Sequence, residues 1–261
     1  MNVAIIKPLL YWGGVGAFLF LELRASYRPD TVSKRERWLA NLPLSILNGV
    51  LYHVLFAGAI TMLLVATGRN EFGLLNLVDL PFPLKAVLGV LLLDFSIYLW
   101  HLLNHVVPLL WRFHRVHHCD MNMDVSTANR FHPGEILLSG LVRLAVIHVF
   151  GIPIFSYLLF EILVNLAIQF HHSSIRINHS FERLWALLFV PPFLHRIHHS
   201  VKIRERDANY GVICSIWDRA LGTLVTDVDQ EGIIIGIGSH REFEKLGFWR
   251  LLLLPFTRAS S

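Results

Sequence analysis

The chain has 261 residues, of which 54% are hydrophobic and 16% are charged, and its formal net charge is +4. Soluble domains carry about 25% charged residues, so the composition excludes an ordinary soluble globule and indicates a membrane protein with long apolar spans. A small positive excess is typical of the cytoplasmic loops of such a protein, and we expect no nucleic-acid partner.

The first three apolar blocks are each long enough to cross a bilayer. Residues 3–21 are predicted to be a spanning helix and not a cleaved signal peptide. The loop that follows, residues 24–37, holds five basic residues and is placed in the cytoplasm by the positive-inside rule. Residues 38–67 and 81–110 then cross outward and back, so the third span is expected to end on the cytoplasmic side.

A fourth apolar region, residues 136–170, is interrupted by Gly151 and Pro153. These residues break a helix, so the region is predicted to be a hairpin of two helices with both ends in the cytoplasm. The stretches 184–194 and 248–256 are too short to span, and we expect them at the interface or, for the first, under the cytoplasmic head.

The predicted fold class is therefore all-α, a multi-pass integral membrane helical bundle with a cytoplasmic histidine-rich head that binds metal. No repeat or linker divides the chain, so one membrane domain is expected over residues 1–261. Within it, residues 1–90 form spanning helices, 91–223 the catalytic region and 224–261 a cytoplasmic or interfacial tail. The expected location is the bacterial cytoplasmic membrane, or the endoplasmic reticulum if the source is eukaryotic.

Histidine gives the strongest chemical signal, because all but two of the 15 histidines fall between His101 and His199. His101 and His105 are four residues apart, which places both rings on one helix face. Two HxxHH boxes follow, one at His114, His117 and His118 and the other at His195, His198 and His199. By chance about 0.05 such boxes are expected, so a solvated basic helix face is a poor explanation.

These eight imidazoles exceed the four ligands of a structural zinc site, which predicts two adjacent metal ions. Cys119 and Cys214 are too few for a Cys₄ or iron–sulfur site. Imidazole suits zinc, iron, copper or nickel, and the spacing does not choose among them. Three more histidines are predicted as candidate ligands: His132, His171 and His172. His179 is a weaker candidate, and structural roles are assigned to His53, His148 and His240.

Several polar residues are candidates to orient a ligand imidazole from behind. Asp94 lies seven residues before His101 on the same face of the third span, where it either bonds a neighbouring helix or acts on a ring. Glu161 is treated in the same way, and Asn165 shares its stripe. The acidic residues after the HxxHH boxes are further acceptors for a ring N–H: Asp120, Asp124, Asp207 and Asp218.

The boxes and the words around them resemble the fatty acid hydroxylase and sterol desaturase superfamily of integral-membrane, histidine-cluster oxygenases. The matching words are His114-Arg-Val-His-His-Cys-Asp-Met-Asn-Met-Asp-Val-Ser-Thr, Arg130-Phe-His-Pro, and Asn209-Tyr-Gly with Trp217-Asp-Arg. The resemblance covers roughly residues 92–223. It implies a non-haem centre of two iron ions that uses O₂ and two electrons to hydroxylate or desaturate a C–H bond of a lipid. The expected partners are therefore the lipid substrate and the lipid bilayer.

Two features depart from that family. The histidine cluster at His171-His172-Ser-Ser is shorter than in many relatives, so the complete ligand set around residues 167–179 stays open. No cytochrome b5, flavin or iron–sulfur motif is recognisable, and electrons are expected from a separate donor of the cytochrome b5, ferredoxin or flavin-reductase type.

Two other functions use membrane-bound metal. A metallohydrolase is disfavoured because HExxH is absent and neither HxxHH box contains Glu. A divalent-metal transporter would need ligands near the bilayer midplane, whereas these histidines lie at the ends of spans. Hydroxylation against desaturation, and a fatty acyl, sterol, carotenoid or alkyl-ether substrate, stay open at this point.

Overall fold

The computed structural model describes residues 3–69, 72–238, 242 and 246–257, with the side chains of residues 3–7 outside the description, as is His240. The regular structure of these residues is helical and contains no strand, only isolated β-bridges, which confirms the all-α class. The α-helices are α1 (Val3–Arg24), α2 (Lys34–Gly68), α3 (Phe82–Val106), α4 (Pro108–His118), α5 (Pro133–Phe150), α6 (Ile154–His172), α7 (His179–Trp185), α8 (Pro192–His198), α9 (Ile203–Arg206), α10 (Ile216–Leu221) and α11 (Phe248–Leu253). Short 3₁₀ helices cover Leu74–Asn76, Thr127–Asn129 and Leu254–Phe256.

Four of these helices, α2, α3, α5 and α6, are long and apolar enough to cross a membrane, which confirms the multi-pass prediction. Their outer faces carry exposed large apolar side chains such as Val54, Met62, Val87 and Leu141. Such an apolar surface is unfavourable in water, whereas the hydrocarbon core of a bilayer would cover it. The 22-residue helix α1 packs against α6 at the side of this bundle.

The spans pack in pairs, α2 with α5 and α3 with α6. A Cβ added at Gly140 would lie 2.4 Å from the Phe56 ring, and one at Gly89 would lie 2.6 Å from Oγ of Ser156. Small residues at these two crossings therefore let the helices approach closely, as is common in membranes. The buried centre of the bundle includes Leu93, Phe56 and Phe160.

Prolines and a glycine set where the helices stop. Gly151 adopts the left-handed conformation, with φ of 66°, and Pro153 precedes α6, so the predicted hairpin of residues 136–170 is present. The predicted third span of residues 81–110 is wrong at its end. Helix α3 ends at Val106, because Val107 precedes a proline and is extended. A separate helix, α4, begins at Pro108.

Buried ion pairs join the first turn of α2 to the loop between α4 and α5 and to the end of α1. Arg37 is fully buried, and its guanidinium binds Asp120 at 2.7 Å and Asp124 at 2.9 Å. Lys34 donates to Glu22 at 2.8 Å. Because the loop between α4 and α5 follows a histidine box, residues 24–37 lie at the end of the bundle that carries the histidines.

The two short apolar stretches lie at this same end. Val190 and Leu194 are buried in a cluster with Ile197 of α8, while Leu187 is exposed. Helix α11 packs against α2, and its Trp249 is 74% exposed. Neither stretch forms a spanning helix, in agreement with the lengths read from the sequence.

Candidate metal centre

The structure gathers nine histidines into two groups, and within each group the ligand nitrogens lie within 4.8 Å of one another. The five-histidine group contains His101, His105, His114, His118 and His198, and the four-histidine group contains His117, His172, His195 and His199. The groups are adjacent, because the rings of His118 and His199 stack with centroids 4.5 Å apart. All eight histidines of the predicted boxes are therefore brought together, and His172 joins them.

Each HxxHH box serves both groups. Consecutive residues of an α-helix are rotated by about 100°, so the two adjacent histidines of a box point in different directions. The first box gives His114 and His118 to the five-histidine group and His117 to the other group, and the second box reverses this with His195 and His199 against His198. The remaining ligands come from the ends of α3 and α6.

Ring nitrogens converge within each group. Nε2 of His172 lies 3.0 Å from Nε2 of His117 and 2.9 Å from Nε2 of His195. In the five-histidine group, Nε2 of His114 and Nε2 of His118 are 3.2 Å apart. Two nitrogens that each lie about 2.0–2.1 Å from one ion are separated by roughly 2.9–3.4 Å, so these spacings fit ligands of a shared metal ion.

Two carboxylates support the five-histidine group from behind. Nδ1 of His114 lies 2.9 Å from Oε1 of Glu135, and Nδ1 of His105 lies 3.2 Å from Oδ1 of Asp207. A ring that donates Nδ1–H to a carboxylate keeps its lone pair on Nε2 and becomes a more basic ligand. Asp207 thus has the contact predicted from the sequence, whereas Glu135 was not predicted.

Backbone carbonyls hold two more rings of this group. Nδ1 of His101 donates to the carbonyl of Tyr210 at 2.8 Å, and Nδ1 of His198 donates to the carbonyl of Ala208 at 2.7 Å. Asp218 accepts the backbone N–H of Tyr210 at 2.7 Å. The sequence predicted that Asp218 would accept a ring N–H, but its carboxylate instead fixes the segment that supplies these carbonyls.

The four-histidine group is held mainly by packing. The ring of His117 stacks on Phe131 with centroids 4.5 Å apart and an angle of 5° between the planes. Nδ1 of His172 donates to the carbonyl of Ile168, one turn earlier on α6, at 2.7 Å. The other Nδ1 atoms have no hydrogen-bond partner among the described residues, namely those of His117, His195 and His199.

Burial keeps five of these imidazoles neutral. Enclosure in the protein, with some repulsion from neighbouring imidazoles, holds the pKa well below its usual value for His117, His118, His195, His198 and His199. A neutral imidazole offers the lone pair that a metal ion needs, and no proton has to leave before the ion binds.

These residues fit bound metal ions. Nε2 of His105 and Nε2 of His198 are buried and have no partner among the described residues. An unpartnered polar atom of this kind costs about 1–3 kcal/mol, and a metal ion at the centre of the group would satisfy both atoms. An all-imidazole donor set suits iron, zinc, copper or nickel.

Comparison with known families assigns the chain. The model of the family described as fatty acid hydroxylase matches residues 86–223, more than half of the chain and a range that contains all nine histidines. The chain belongs to the fatty acid hydroxylase family. The resemblance read from the histidine boxes is thereby confirmed.

Curated relatives of this fatty acid hydroxylase family member act on lipids by name. An ornithine lipid hydroxylase of Rhizobium tropici is 30% identical over 68% of this chain and 52% of its own length. Alkylglycerol monooxygenase of Xenopus tropicalis is 31% identical over 62% and 35%, and cholesterol 25-hydroxylase of Homo sapiens is 30% identical over 52% and 50%. The chain therefore spans about half or less of the length of these relatives. No solved structure matches it.

Two predicted ligands of this family member lie outside both groups. His132 precedes α5, where its Nδ1 accepts the N–H of Gly134 at 2.9 Å and its Nε2 donates to the carbonyl of Leu252 at 3.1 Å. Both of its ring nitrogens are therefore engaged by the backbone. The ring of His171 is buried 4.0 Å from that of His195, centroid to centroid, but belongs to neither group.

Asp94 contacts no imidazole among its described hydrogen bonds. Its carboxylate accepts the backbone N–H groups of Ile213 at 3.2 Å and Cys214 at 3.1 Å, and the indole N–H of Trp217 at 2.8 Å. Of the two roles read from the sequence, the structure thus favours a bond to a neighbouring segment. That segment follows Tyr210, whose carbonyl holds His101.

The other predicted orienting residues have different partners as well. Asp120 and Asp124 bind Arg37, and although burial opposes ionisation, that guanidinium holds the pKa of both carboxyls below the usual range. Glu161 forms an ion pair with Arg143. Asn165 donates to the backbone carbonyl of Glu161 at 2.6 Å, within α6.

A cavity of about 200 Å³ opens from the histidines into the spans. Its walls come from α3, α5 and α6 and are mostly apolar, with Ile97, Phe160 and Ile168 among them. Asn104 lines the histidine end; it is 1% exposed, and neither its amide nitrogen nor its amide oxygen has a partner among the described residues. Its position next to His105 was visible in the sequence, but its burial was not.

Proposed function

We propose that this chain is a membrane-bound oxygenase that hydroxylates a C–H bond of a lipid at a centre of two iron ions. The co-reactants are O₂, two electrons and two protons, so that one oxygen atom enters the lipid and the other leaves as water. One observation carries the proposal: two adjacent all-histidine groups open onto an apolar cavity between membrane-length helices. The names of the relatives favour hydroxylation over desaturation. Iron is the proposed metal because the resemblance to the histidine-cluster oxygenases implies it, and activation of O₂ needs a redox-active ion, which zinc is not.

The residues of the chain would divide the work in three ways. The five-histidine group would hold one ion and the four-histidine group the other, each through neutral imidazole nitrogens. Glu135 and Asp207 would keep two of these rings aligned and basic. The apolar cavity would exclude water and hold a lipid methylene close to the histidines, which supplies proximity and orientation.

We further propose that the metal centre faces the cytoplasm and that a separate protein of the cytochrome b5, ferredoxin or flavin-reductase type delivers the electrons. The basic segment of residues 24–37 supports this side, because its Arg37 and Lys34 form ion pairs with Asp120 and Asp124 in the loop after the first HxxHH box. Single cysteines at Arg35 and Lys202, in a background without Cys119 and Cys214, test the topology. We expect both to react with an impermeant thiol reagent only from the cytoplasmic side, and labelling from opposite sides would contradict the arrangement.

The function is tested on purified protein reconstituted with iron and a reductant. We expect close to two iron ions per chain, O₂ uptake that depends on lipid, and a lipid product heavier by one oxygen atom in mass spectrometry. The His53→Ala variant should give the same three results as the wild type, since His53 is exposed on α2 and far along the chain from every box. Loss of two hydrogens instead would assign a desaturase.

The same measurements separate the two other functions. Zinc-loaded protein that cleaves a lipid ester without consuming O₂ would indicate a metallohydrolase. Uptake of metal ions into sealed vesicles, without change in the lipids, would indicate a transporter. The enclosure of the histidines, eight of which are buried, argues against the transporter, because ions that must pass through need sites that open on both sides.

A further inference from the structure

A charged pair lies inside the membrane-length hairpin of α5 and α6. Arg143 is near the middle of α5, and its guanidinium forms an ion pair with the carboxylate of Glu161 on α6. Neither side chain is fully enclosed, since 18% of Arg143 and 17% of Glu161 remain exposed. Charges at this depth are costly and are retained where they serve a site.

Arg143 is also one of the residues that line the cavity that opens from the histidines. Val142 and Ser139 of the same helix line it as well. Glu135, which holds His114, lines it eight residues earlier on α5. At 1.5 Å per residue, the Cα atoms of Glu135 and Arg143 are therefore about 12 Å apart along the helix axis, so Arg143 lies deeper in the spans than the histidine end.

The chemistry of the pair restricts what it can bind. A guanidinium has five N–H donors in a planar fork, more than one carboxylate oxygen can accept, so Arg143 can donate to a ligand oxygen while paired with Glu161. The pair is neutral overall, and a second carboxylate would be repelled by Glu161. An uncharged oxygen group, such as a hydroxyl or a carbonyl, fits the site best.

We propose that Arg143, held by Glu161, binds an uncharged oxygen group of the lipid substrate and so places a remote carbon of the same molecule at the histidines. This inference rests on the proposed function, because it assumes that the cavity takes a lipid. Arg143 is a positioning residue that touches the substrate but not the reacting carbon. The substrate class is accordingly a lipid with a hydroxyl or carbonyl oxygen remote from the position that reacts.

A purely structural pair would behave differently. Buried ion pairs can often be replaced by apolar side chains of similar volume without loss of stability, and α5 and α6 are each held by another helix, α2 and α3 respectively. The double variant Arg143→Met with Glu161→Met removes both charges and keeps long side chains. Leu141→Met is the matched control, because Leu141 lies on the same helix and is 57% exposed to the surroundings of the bundle.

The test measures binding and needs no turnover. Zinc-loaded protein in detergent is titrated with dodecan-1-ol, dodecane and dodecanoic acid against radiolabelled dodecan-1-ol. We expect the wild type and Leu141→Met to bind the alcohol about ten-fold or more tightly than the alkane, the usual worth of a hydrogen bond to a charged group, and more tightly than the acid. In the double variant, alcohol and alkane should bind equally.

Several results would overturn the inference. The inference is wrong if the wild type binds alcohol and alkane equally or prefers the acid, and this result does not depend on whether the double variant folds. A double variant that keeps the preference for the alcohol also overturns it. Protein that prefers the alcohol but never consumes O₂ when loaded with iron would count against the proposed function, whereas hydroxylation without that preference would count against Arg143.

Discussion

The five-histidine and four-histidine groups share a ligand type but differ in what stands behind the rings. Four of the five rings in the larger group donate Nδ1–H to an acceptor outside the group, and two of those acceptors are the carboxylates of Glu135 and Asp207. In the smaller group one ring does so, and packing against Phe131 fixes another. One site is thus oriented by hydrogen bonds and charge, and the other by shape.

This difference follows from where the additional ligands originate. The HxxHH boxes treat both groups alike, since each gives two rings to one group and one ring to the other. The larger group adds His101 and His105 from α3, which face the segment around Asp207 and Tyr210. The smaller group adds His172 from the last turn of α6, whose nearest acceptor is its own helix.

The largest expected effect comes from emptying one group at a time. His172→Ala with His195→Ala leaves two nitrogens in the four-histidine group and should remove about one iron ion per chain, whereas His118→Ala with His198→Ala leaves three in the five-histidine group, the smallest protein donor set of a metal site, and should lower its iron content less completely. Turnover should be lost in both. The iron content per chain is measured on protein whose helical content is unchanged. Full iron occupancy in either double variant would contradict two separate sites.

A smaller effect is expected from the carboxylates that only the larger group has. Glu135→Gln and Asp207→Asn keep the shape but remove the charge behind His114 and His105, which should weaken metal affinity about 10- to 100-fold. The loss should concern one of two ions, as judged by competition with a chelator. Asp227→Asn, at an exposed position, is the control, and equal weakening of both ions would show that the two sites are not independent.

Asn104 sharpens the comparison at the cavity. Its buried amide has no partner among the described residues, so Asn104→Leu should raise the free energy of unfolding by about 1–3 kcal/mol while turnover falls, if the amide serves the substrate. Thermal unfolding and O₂ uptake are measured on one preparation, with iron content as the check on both groups. A lower melting temperature would instead indicate that the amide is already satisfied, for example by ordered water.

How far the sequence could predict this centre depends on the kind of contact. Ligand histidines can be predicted from their spacing, because helical geometry alone brings residues i and i+4 together. The carbonyls that hold His101 and His198 carry no sequence signal, since every residue has one. Glu135 was missed because an acidic residue in the first turn of a helix ordinarily complements the helix dipole.

Tertiary contacts also explain why some predicted ligands and orienting residues have other partners. His132 stands close after a histidine box, yet the proline that follows makes it the residue before α5, where the backbone takes both ring nitrogens. Asp120 and Asp124 follow the same box, but a buried arginine from α2, 83 residues from Asp120 along the chain, is the stronger partner. Neither outcome could be read from local spacing.

Asp94 gives the smallest and most discriminating test of the two groups. Its carboxylate accepts three N–H groups from the segment after Tyr210, so Asp94→Asn loses acceptor capacity and should lower the free energy of unfolding by about 1–3 kcal/mol. The carbonyl that this segment offers belongs to the five-histidine group, so any loss of metal should be confined to that group and stay below the effect of Glu135→Gln. Iron content, turnover and melting temperature are measured together. A 10- to 100-fold loss of metal affinity at an unchanged melting temperature would mean that Asp94 acts on the metal centre itself.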